Sequence, residues 1–493
     1  MATNTVTTRP VDRPDAKSAA YVRMQKRWQL CRDVRDGDAL VAKKETYLPK
    51  FEAEDEIDWE TRMKLTFPEQ VFDDALQSMV GMAFKTDPQL EPDVPKNIVR
   101  DWENIDGEGT HGSLFAQALL DRALQDGHCA ILTEFPEEPV RRNPREQQLD
   151  GVRAYLVPIS IDQIISWRVG TWGGIRLIMQ VVLYMPSEEP DGQFGVKRIE
   201  RYRVWTQQFG TDGQPFVMAE IWEAPQGQVL QRMGEPTRVR GPKIIPVALV
   251  YGGKQTGILE SEPPFYGLAQ ANLEHTQVKS DRRFALHKCN TPLLVLIGVP
   301  QDDPNNPAQS EIKIGSSGLR ITNPDGDAKW IMPPAEALEE SRADLASLKE
   351  IMREKSLNSE AKDQQKTATE VRMKHAREES KVVRAVRSLQ DALELSFQFM
   401  ADYYGKPSGG SITLKRDFTT IIDADQLQAL DKARDRMDIS RATYLTVLAA
   451  AGVLPEDLNP EEEAEAVKRE EGDPEPVEEG AEEVEADQVG AEA

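Results

Sequence analysis

The residues best placed to act by charge lie in a polar stretch, Ser356 to Thr369, between two helical patterns. Lys362 and Lys366 stand there beside Glu360 and Asp363, with Gln364 and Gln365 between the lysines. Cations spaced this way can touch a phosphate backbone without reading its sequence. No aromatic residue interleaves, so base stacking is not expected. Read by composition alone, the same stretch is a solvated loop.

Enzyme chemistry is poorly served elsewhere. Tyr251-Gly-Gly-Lys-Gln-Thr256 approaches a phosphate loop, but Ala248 stands where the first Gly belongs and Gln255 where Ser or Thr would reach magnesium. A Gly-rich turn after a strand is the expectation. His275, His287 and Cys289 are metal-ligating types at a spacing that fits no structural zinc pattern, so helix positions facing solvent or a neighbouring subunit are expected. His128-Cys129 opens an apolar strand run, where a buried structural Cys is the default. Neither Gly-x-Ser-x-Gly nor His-Glu-x-x-His occurs. No catalytic residue, metal ligand or cofactor is expected, and the chain is not expected to be an enzyme.

The elements around the polar stretch are clear. Ala335 to Lys355 puts Leu338, Leu345, Leu348 and Met352 on one narrow stripe. Val382, Val386, Leu389, Leu393, Ser396 and Met400 then recur at strides of four and three, the helical period. The long helix must bury this stripe against something else. The sparse helix over Phe265 to Lys288 and the one over Ala335 to Lys355 are too thin-striped to stand alone as a pair, and are expected to pack against copies of themselves in neighbouring subunits. Upstream, Tyr21, Met24, Trp28 and Cys31 share a helical face that ends at Gly37. An extended turn is expected at Tyr47-Leu-Pro49, helices over Trp59 to Phe84 with a break at Pro68, and a helix over Ser113 to Gln125. From Gly127 to Gly253 the period changes. β-branched and aromatic runs at 128–135, 155–161, 175–185, 198–206, 216–222 and 244–251 read as a half-buried antiparallel sheet. Thr211-Asp-Gly-Gln214 and Pro225-Gln-Gly227 are hairpin-like turns. A sparse, polar helix runs from Phe265 to Lys288, followed by strands at Pro292 to Val299, Glu311 to Ile314 and Leu319 to Thr322. A strand at Ser411 to Phe418 that can rejoin the earlier sheet comes next. Helices at 423–437, 440–451 and 459–471 end the pattern, with Ser440 as an N-cap and Gly452 as a stop. The fold class is α+β.

A chain of 493 residues holds more than one ordinary domain. Its net charge is −24, and Glu456 to Ala493 carries seventeen Asp and Glu against Lys468 and Arg469, a local −15. About −9 remains for the rest, so the acidity is concentrated in a tail that is expected to be disordered past Glu471. Such a balance argues against a tight grip on nucleic acid and fits a surface along which it slides. Three scattered cysteines fit no disulfide framework, and no apolar run approaches a membrane span or a secretory signal, so a cytosolic product without a membrane partner is expected.

The order of segments resembles the portal, or head-to-tail connector, proteins of tailed bacteriophages, in particular the siphophage-like branch. The resemblance rests on Tyr47-Leu-Pro49, Gly81 to Pro88, Tyr155 to Arg168 and Pro263 to His275, then Lys366-Thr-Ala-Thr-Glu370, Ile439-Ser440 and Gly452 to Pro455. It implies a flexible arm at 1–16, a mixed α/β wing at 17–260 joined by a return strand within 405–422, and a two-helix stem at 261–290 and 334–355. A small β clip would occupy 291–333, a tunnel loop 356–369, a long helix 370–404, a helical crown 423–470 and a disordered acidic tail 471–493. It implies a homo-oligomeric ring, usually of twelve subunits, at one capsid vertex of the virion, assembled in the host cytoplasm. Double-stranded DNA would pass through its axis during packaging and ejection without sequence recognition. A separate terminase large subunit would drive that passage, which accounts for the missing phosphate loop. Major capsid and scaffold proteins and a head-tail adaptor are the further partners implied. Lys362, Gln364, Gln365 and Lys366 are then the candidate DNA-channel residues, and Asp302, Asp303 and Arg320 in the excursion the candidate partner contacts. Another virion scaffold or minor structural protein, assembling as a coiled coil through 335–404, is the alternative; Glu and Lys breaking the stripe before Val382 count against it.

Overall fold

The structure is a computed structural model that describes residues 13–52, 54–135, 153–224, 229–289, 293–297, 327–331, 335–356, 368–414, 424–450 and 463. Its first helix, α1 (Ala19–Asp36), starts where the Ser18 hydroxyl accepts from the Tyr21 N–H at 3.1 Å. It stops at Gly37, whose φ of 65° suits a residue without Cβ. Tyr21, Met24, Trp28 and Cys31 are buried, as the spacing predicts. Two short helices, α2 (Asp38–Ala42) and α3 (Lys44–Tyr47), precede Leu48 where only a turn is expected. The break at Pro68 separates α4 (Glu56–Lys64) from α5 (Val71–Ala83). A two-residue strand, β1 (Gln89–Leu90), then α6 (Lys96–Trp102) and α7 (Gly112–Asp126) lead to the strand region.

That region contains β2 (His128–Glu134), β3 (Tyr155–Ile159), β4 (Ile164–Trp172), β5 (Ile175–Tyr184), β6 (Ser187–Asp191) and β7 (Gly195–Phe209). It continues with β8 (Pro215–Ala224), β9 (Gln231–Arg238), β10 (Val247–Tyr251), β11 (Lys254–Gly257) and β12 (Glu260–Glu262). Every pairing among the described strands is antiparallel. They form two main sheets, a small one in the order β10-β2-β3 and a larger one in the order β4-β5-β7-β8-β9, with β6 on β7. The Thr211–Gln214 turn joins β7 to β8, with Phe209 opposite Pro215.

Alternation along the strands sets the layers. Ala130 and Leu132 from the small sheet meet Val181, Leu183 and Trp205 from the larger one in a shared core. The intervening Val182 and Val204 point the other way, onto Tyr21, Met24 and Trp28 of α1. On the small sheet's opposite face, Cys129 Sγ reaches the Leu119 carbonyl of α7 at 3.4 Å. Covered on both sides, β2 reads as a continuous apolar run from Cys129 to Leu132.

The chain then runs through α8 (Tyr266–Cys289), β13 (Leu293–Ile297), β14 (Asp327–Ile331), α9 (Ala335–Lys355) and α10 (Ala368–Tyr403) to β15 (Ile412–Thr413). The α10 stripe of Val382, Val386, Leu389, Leu393, Ser396 and Met400 is fully buried. It lies on β10, β2 and α7 of its own chain, with the Ser388 hydroxyl accepting from the Tyr251 N–H at 2.8 Å. The stripe has to be buried against something, and the apolar upper face of the small sheet is its partner. β15 pairs with β1 rather than with either main sheet.

The chain divides into two compact units, Met1–Arg416 and Asp417–Ala493. In the second, α11 (Ala424–Asp435) and α12 (Arg441–Ala450) are held together by Tyr444 donating to Asp431 at 2.6 Å. Ser440 caps α12, accepting from the Thr443 N–H at 3.1 Å. The expected helix at 459–471 and the Gly452 stop lie outside the described residues, Glu463 apart. So do the acidic tail past Glu471 and the strands expected at 311–314 and 319–322. The molecule is an α+β protein, and among the described residues no helix is long and apolar enough to cross a membrane.

Candidate functional site

A polar helix is costly to bury unless its side chains find partners, and α8 finds them on irregular backbone of the first hundred residues. The break at Pro68 leaves carbonyls without helical donors. Lys279 donates to the Phe67 carbonyl at 2.8 Å, and Asn272 to the Glu69 carbonyl at 3.0 Å. Gln277 donates to the Tyr47 carbonyl at 2.7 Å, and Ser280 shares a hydrogen bond with Thr66 at 2.7 Å. Arg62, itself buried, forks onto Glu54 at 2.9 Å through both nitrogens and reaches Asp281 at 3.3 Å. Asn272, His275, Thr276 and Ser280 are consequently buried within their own chain. The polarity of α8 read as a mark of intersubunit contact is in large part internal wiring.

The helix α9 returns alongside α8 in the opposite direction. Lys355, at its end, donates to the carbonyl of Gly267 at the start of α8, 3.1 Å away. Nearby, the Lys381 ammonium of α10 sits 5.5 Å from the Phe265 ring centre. β13 and β14, paired from Leu293↔Ile331 to Ile297↔Asp327, lie between the two helices in sequence. Leu348 and Met352 are buried, as their stripe predicts.

Between α8, α9 and the Pro68 linker lies a cleft of about 350 Å³ whose lining is strongly basic. Lys279, Arg282, Arg283, Arg342 and Lys349 surround a single carboxylate, Glu69. Glu69 is 2.7 Å from Lys279 and 3.7 Å from Lys349. The Lys279 hydrogen bond, partly offset by burial, holds its carboxyl below the usual range. His275 opens onto this cleft but is only 1% exposed, and neither ring nitrogen has a hydrogen-bond partner. Burial lowers its pKa and keeps the ring neutral. The buried Nε of Arg282 is also without an acceptor. Arg342 has Glu339 of its own helix at 4.0 Å, and Arg283 lies over the Phe67 ring. The capacity that the described residues leave unanswered is thus that of the His275 ring and the Arg282 Nε, in a lining with an excess of cations.

The Gly252-Gly253 turn is a packing device. Both of its N–H groups donate to the Gly127 carbonyl at 3.0 Å, so neither is left to cradle a phosphate. A Cβ on Gly252 would stand 2.1 Å from the Ala123 carbonyl oxygen, and one on Gly253 1.8 Å from that of Glu262. His128 is buried against the Ser261 hydroxyl at 2.7 Å, and burial lowers its pKa to about 4. Cys129 is buried and its thiol pushed up by burial. Among the described residues no group of three or more His, Cys, Asp or Glu is placed to hold a metal. His275 is buried within its own chain at the cleft wall rather than facing solvent, whereas His287 is exposed. Lys362, Gln364, Gln365 and Lys366, and likewise Asp302, Asp303 and Arg320, lie outside the described residues. The first four fall between the end of α9 and the start of α10, and the other three between β13 and β14.

A domain family of unknown function, DUF4055, matches residues 264–404. The match opens at the start of α8 and closes at the end of α10, so it takes in the helix pair, its small sheet and the long helix as one stretch. No curated protein matches the chain. Among solved structures, one titled "Neck of native GTA particle computed with C12 symmetry" aligns over 77% of this chain and 89% of that chain. Its identity is 12% and its TM-score 0.37, a likeness too slight to carry an argument. The basic cleft, missed in sequence reasoning, lies inside the DUF4055 match except for Glu69. Its only sequence signal is the density of Lys and Arg on 279–283 and 342–349.

Proposed function

We propose that this chain is the portal protein of a tailed, siphophage-like bacteriophage: one subunit of a ring at a capsid vertex through which DNA is packaged and ejected. The observation that supports it most is the sequence of elements between Phe265 and Tyr403. A 24-residue helix, a two-stranded sheet and a 21-residue antiparallel helix form one excursion, followed by a 36-residue helix laid on the body. At 1.5 Å per residue the outgoing helix is roughly 36 Å long. This is the stem, clip, stem and long-helix order that the resemblance leads one to expect.

On this reading α8 and α9 are the stem, the residues between β13 and β14 belong to the clip, and 356–369 form the tunnel loop. The chain itself performs no chemistry. DNA slides along a channel of an acidic protein, touched at Lys362 and Lys366 by charge, while the terminase supplies the work and an adaptor later docks on the clip. A coiled coil through 335–404 fits less well, because the α10 stripe is already covered by the chain's own sheet.

The test is the mass and symmetry of the purified full chain, by native mass spectrometry and averaged electron-microscope images. A closed ring with an open axis near twelve protomers, roughly 660 kDa, is the expected result. A compact dimer or trimer without a channel overturns the reading.

A further inference from the structure

We infer that the basic cleft between α8 and α9 is completed by carboxylates from α9 of a second copy of this chain. The inference rests on the ring reading above and names the contact that builds it.

The helix α9 carries its own complement. At about 100° per residue, Arg342, Lys349 and Arg353 fall within about 40° of one another on one side of the buried Leu348 and Met352 stripe. Glu340 and Asp344 lie about 160° away from them, on the other side of that stripe. Arg342, Lys349, Glu340 and Asp344 are all exposed. The basic flank opens on the cleft, where Arg282, Arg283 and Lys279 add to it. Glu69 is the one carboxylate there, and Lys279 and Lys349 share it. Inside the cleft the Arg282 Nε–H needs an acceptor, and the His275 ring offers a donor nitrogen that has none. Carboxylate oxygens accept only, and guanidinium forks match them in pairs.

Two basic flanks repel when brought together, and so do two acidic ones. The contact that satisfies both joins the basic flank of one copy to the acidic flank of the next. Repeated at every copy, it leaves no flank unanswered only when the series closes on itself. A DNA phosphate is the less suitable occupant, because the acidic flank that accompanies each basic one repels it. Charge complementarity thus sets direction around the ring as well as attraction.

The test reverses each flank in the full chain. One variant carries Arg342→Glu with Lys349→Glu, a second Glu340→Lys with Asp344→Lys, and a third all four changes. All four positions are exposed, so circular dichroism and the urea midpoint should match the parent. Native mass spectrometry at matched concentration should show the assembled fraction falling about tenfold or more in each two-site variant and recovering in the four-site variant. Two-site variants that assemble like the parent, or a four-site variant no better than either, overturn the contact while leaving a ring-forming parent as a portal. A parent that forms only monomers or compact dimers overturns the contact and the ring together. Loss of DNA retention by the first variant, with rings intact, would assign the cleft to phosphate instead.

Discussion

The Tyr404 hydroxyl, just past the end of α10, donates to the Asp101 carboxylate of α6 at 2.5 Å, across 303 residues of chain. It also accepts from the Ala154 N–H at 3.0 Å, and burial followed by Asp101 raises its pKa. One phenol thus fixes the far end of the long helix to two elements that precede it by hundreds of residues. Tyr404→Phe keeps the ring and removes three-way satisfaction, leaving a buried N–H and carboxylate oxygen short of a partner. The expected loss is about 1.5–3 kcal/mol, read as a lower urea midpoint at unchanged slope.

Arg62 and Glu54 form a buried pair, with side chains 2% and 3% exposed. Arg62→Met strands the carboxylate and should cost about 3–5 kcal/mol, whereas adding Glu54→Gln should recover part of it. The Arg62 hydrogen bond is the main reason the Glu54 carboxyl is held below its usual range. Its stabilisation is therefore present above the unfolded carboxylate pKa and lost as pH falls through the lower folded value. Thermal melts between acid and neutral pH should show that slope shrinking in Arg62→Met.

His128 titrates with the opposite charge but the same direction of effect. Its folded pKa of about 4 lies below the ordinary imidazole value, so the unfolded chain binds the proton first. Stability from this residue is complete above about pH 6.5 and falls as pH drops toward about 4, by something on the order of 3 kcal/mol. His128→Gln, which can still bond Ser261, should flatten that part of the melting-temperature profile. An unchanged profile would mean the ring accepts its proton while folded.

The Gly252 turn separates packing from nucleotide binding. Gly252→Ala drives a methyl into the Ala123 carbonyl and should destabilise the chain by several kcal/mol, on the order of other severe backbone clashes. Lys254→Ala removes an exposed cation and should leave stability within about 0.5 kcal/mol. DNA packaging with the Lys254→Ala chain should also be unchanged; a loss would revive a phosphate role for the turn.

On the portal reading proposed above, Lys362→Glu with Lys366→Glu should impair DNA packaging or retention while assembly proceeds, since reversal would replace attraction to the phosphates with repulsion. Packaging assays in parallel with native mass spectrometry separate the two effects. Unaltered packaging would remove these lysines from the channel.

Much of the architecture is legible in the residue pattern, for reasons visible in particular elements. The limits of α9 follow from its single stripe, β2 from the apolar run Cys129 to Leu132, and β5 and β7 from their β-branched and aromatic residues. By contrast β9, Gln231–Arg238, holds Gly234 and Pro236 and is almost wholly exposed; only its ladder to β8 makes it a strand. The same is true of β6, with two Glu and a Pro. The role of α8 was hidden for another reason. Its polar side chains answer carbonyls about 200 residues earlier in the chain, and no local period records such a partner. The basic cleft was missed likewise: its charges lie on two helices brought side by side by the turn-back at β13 and β14.

The placement of α10 on the small sheet also governs when the body can be finished. β10 leaves the ribosome well before residues 382–400, the lid for its outer face, have been made. At about 5–20 residues per second that interval is on the order of ten seconds. Throughout it, Ala248 and Val250 of β10 lack the helix that covers them in the finished chain, while Cys129 of β2 already has Leu119 of α7 beside it. The excursion of α8 and α9 is synthesised within the same interval, before the body it leaves is sealed. That face of the small sheet is thus closed only once the whole 264–404 stretch has emerged, so the body cannot be completed before its C-terminal helix is made.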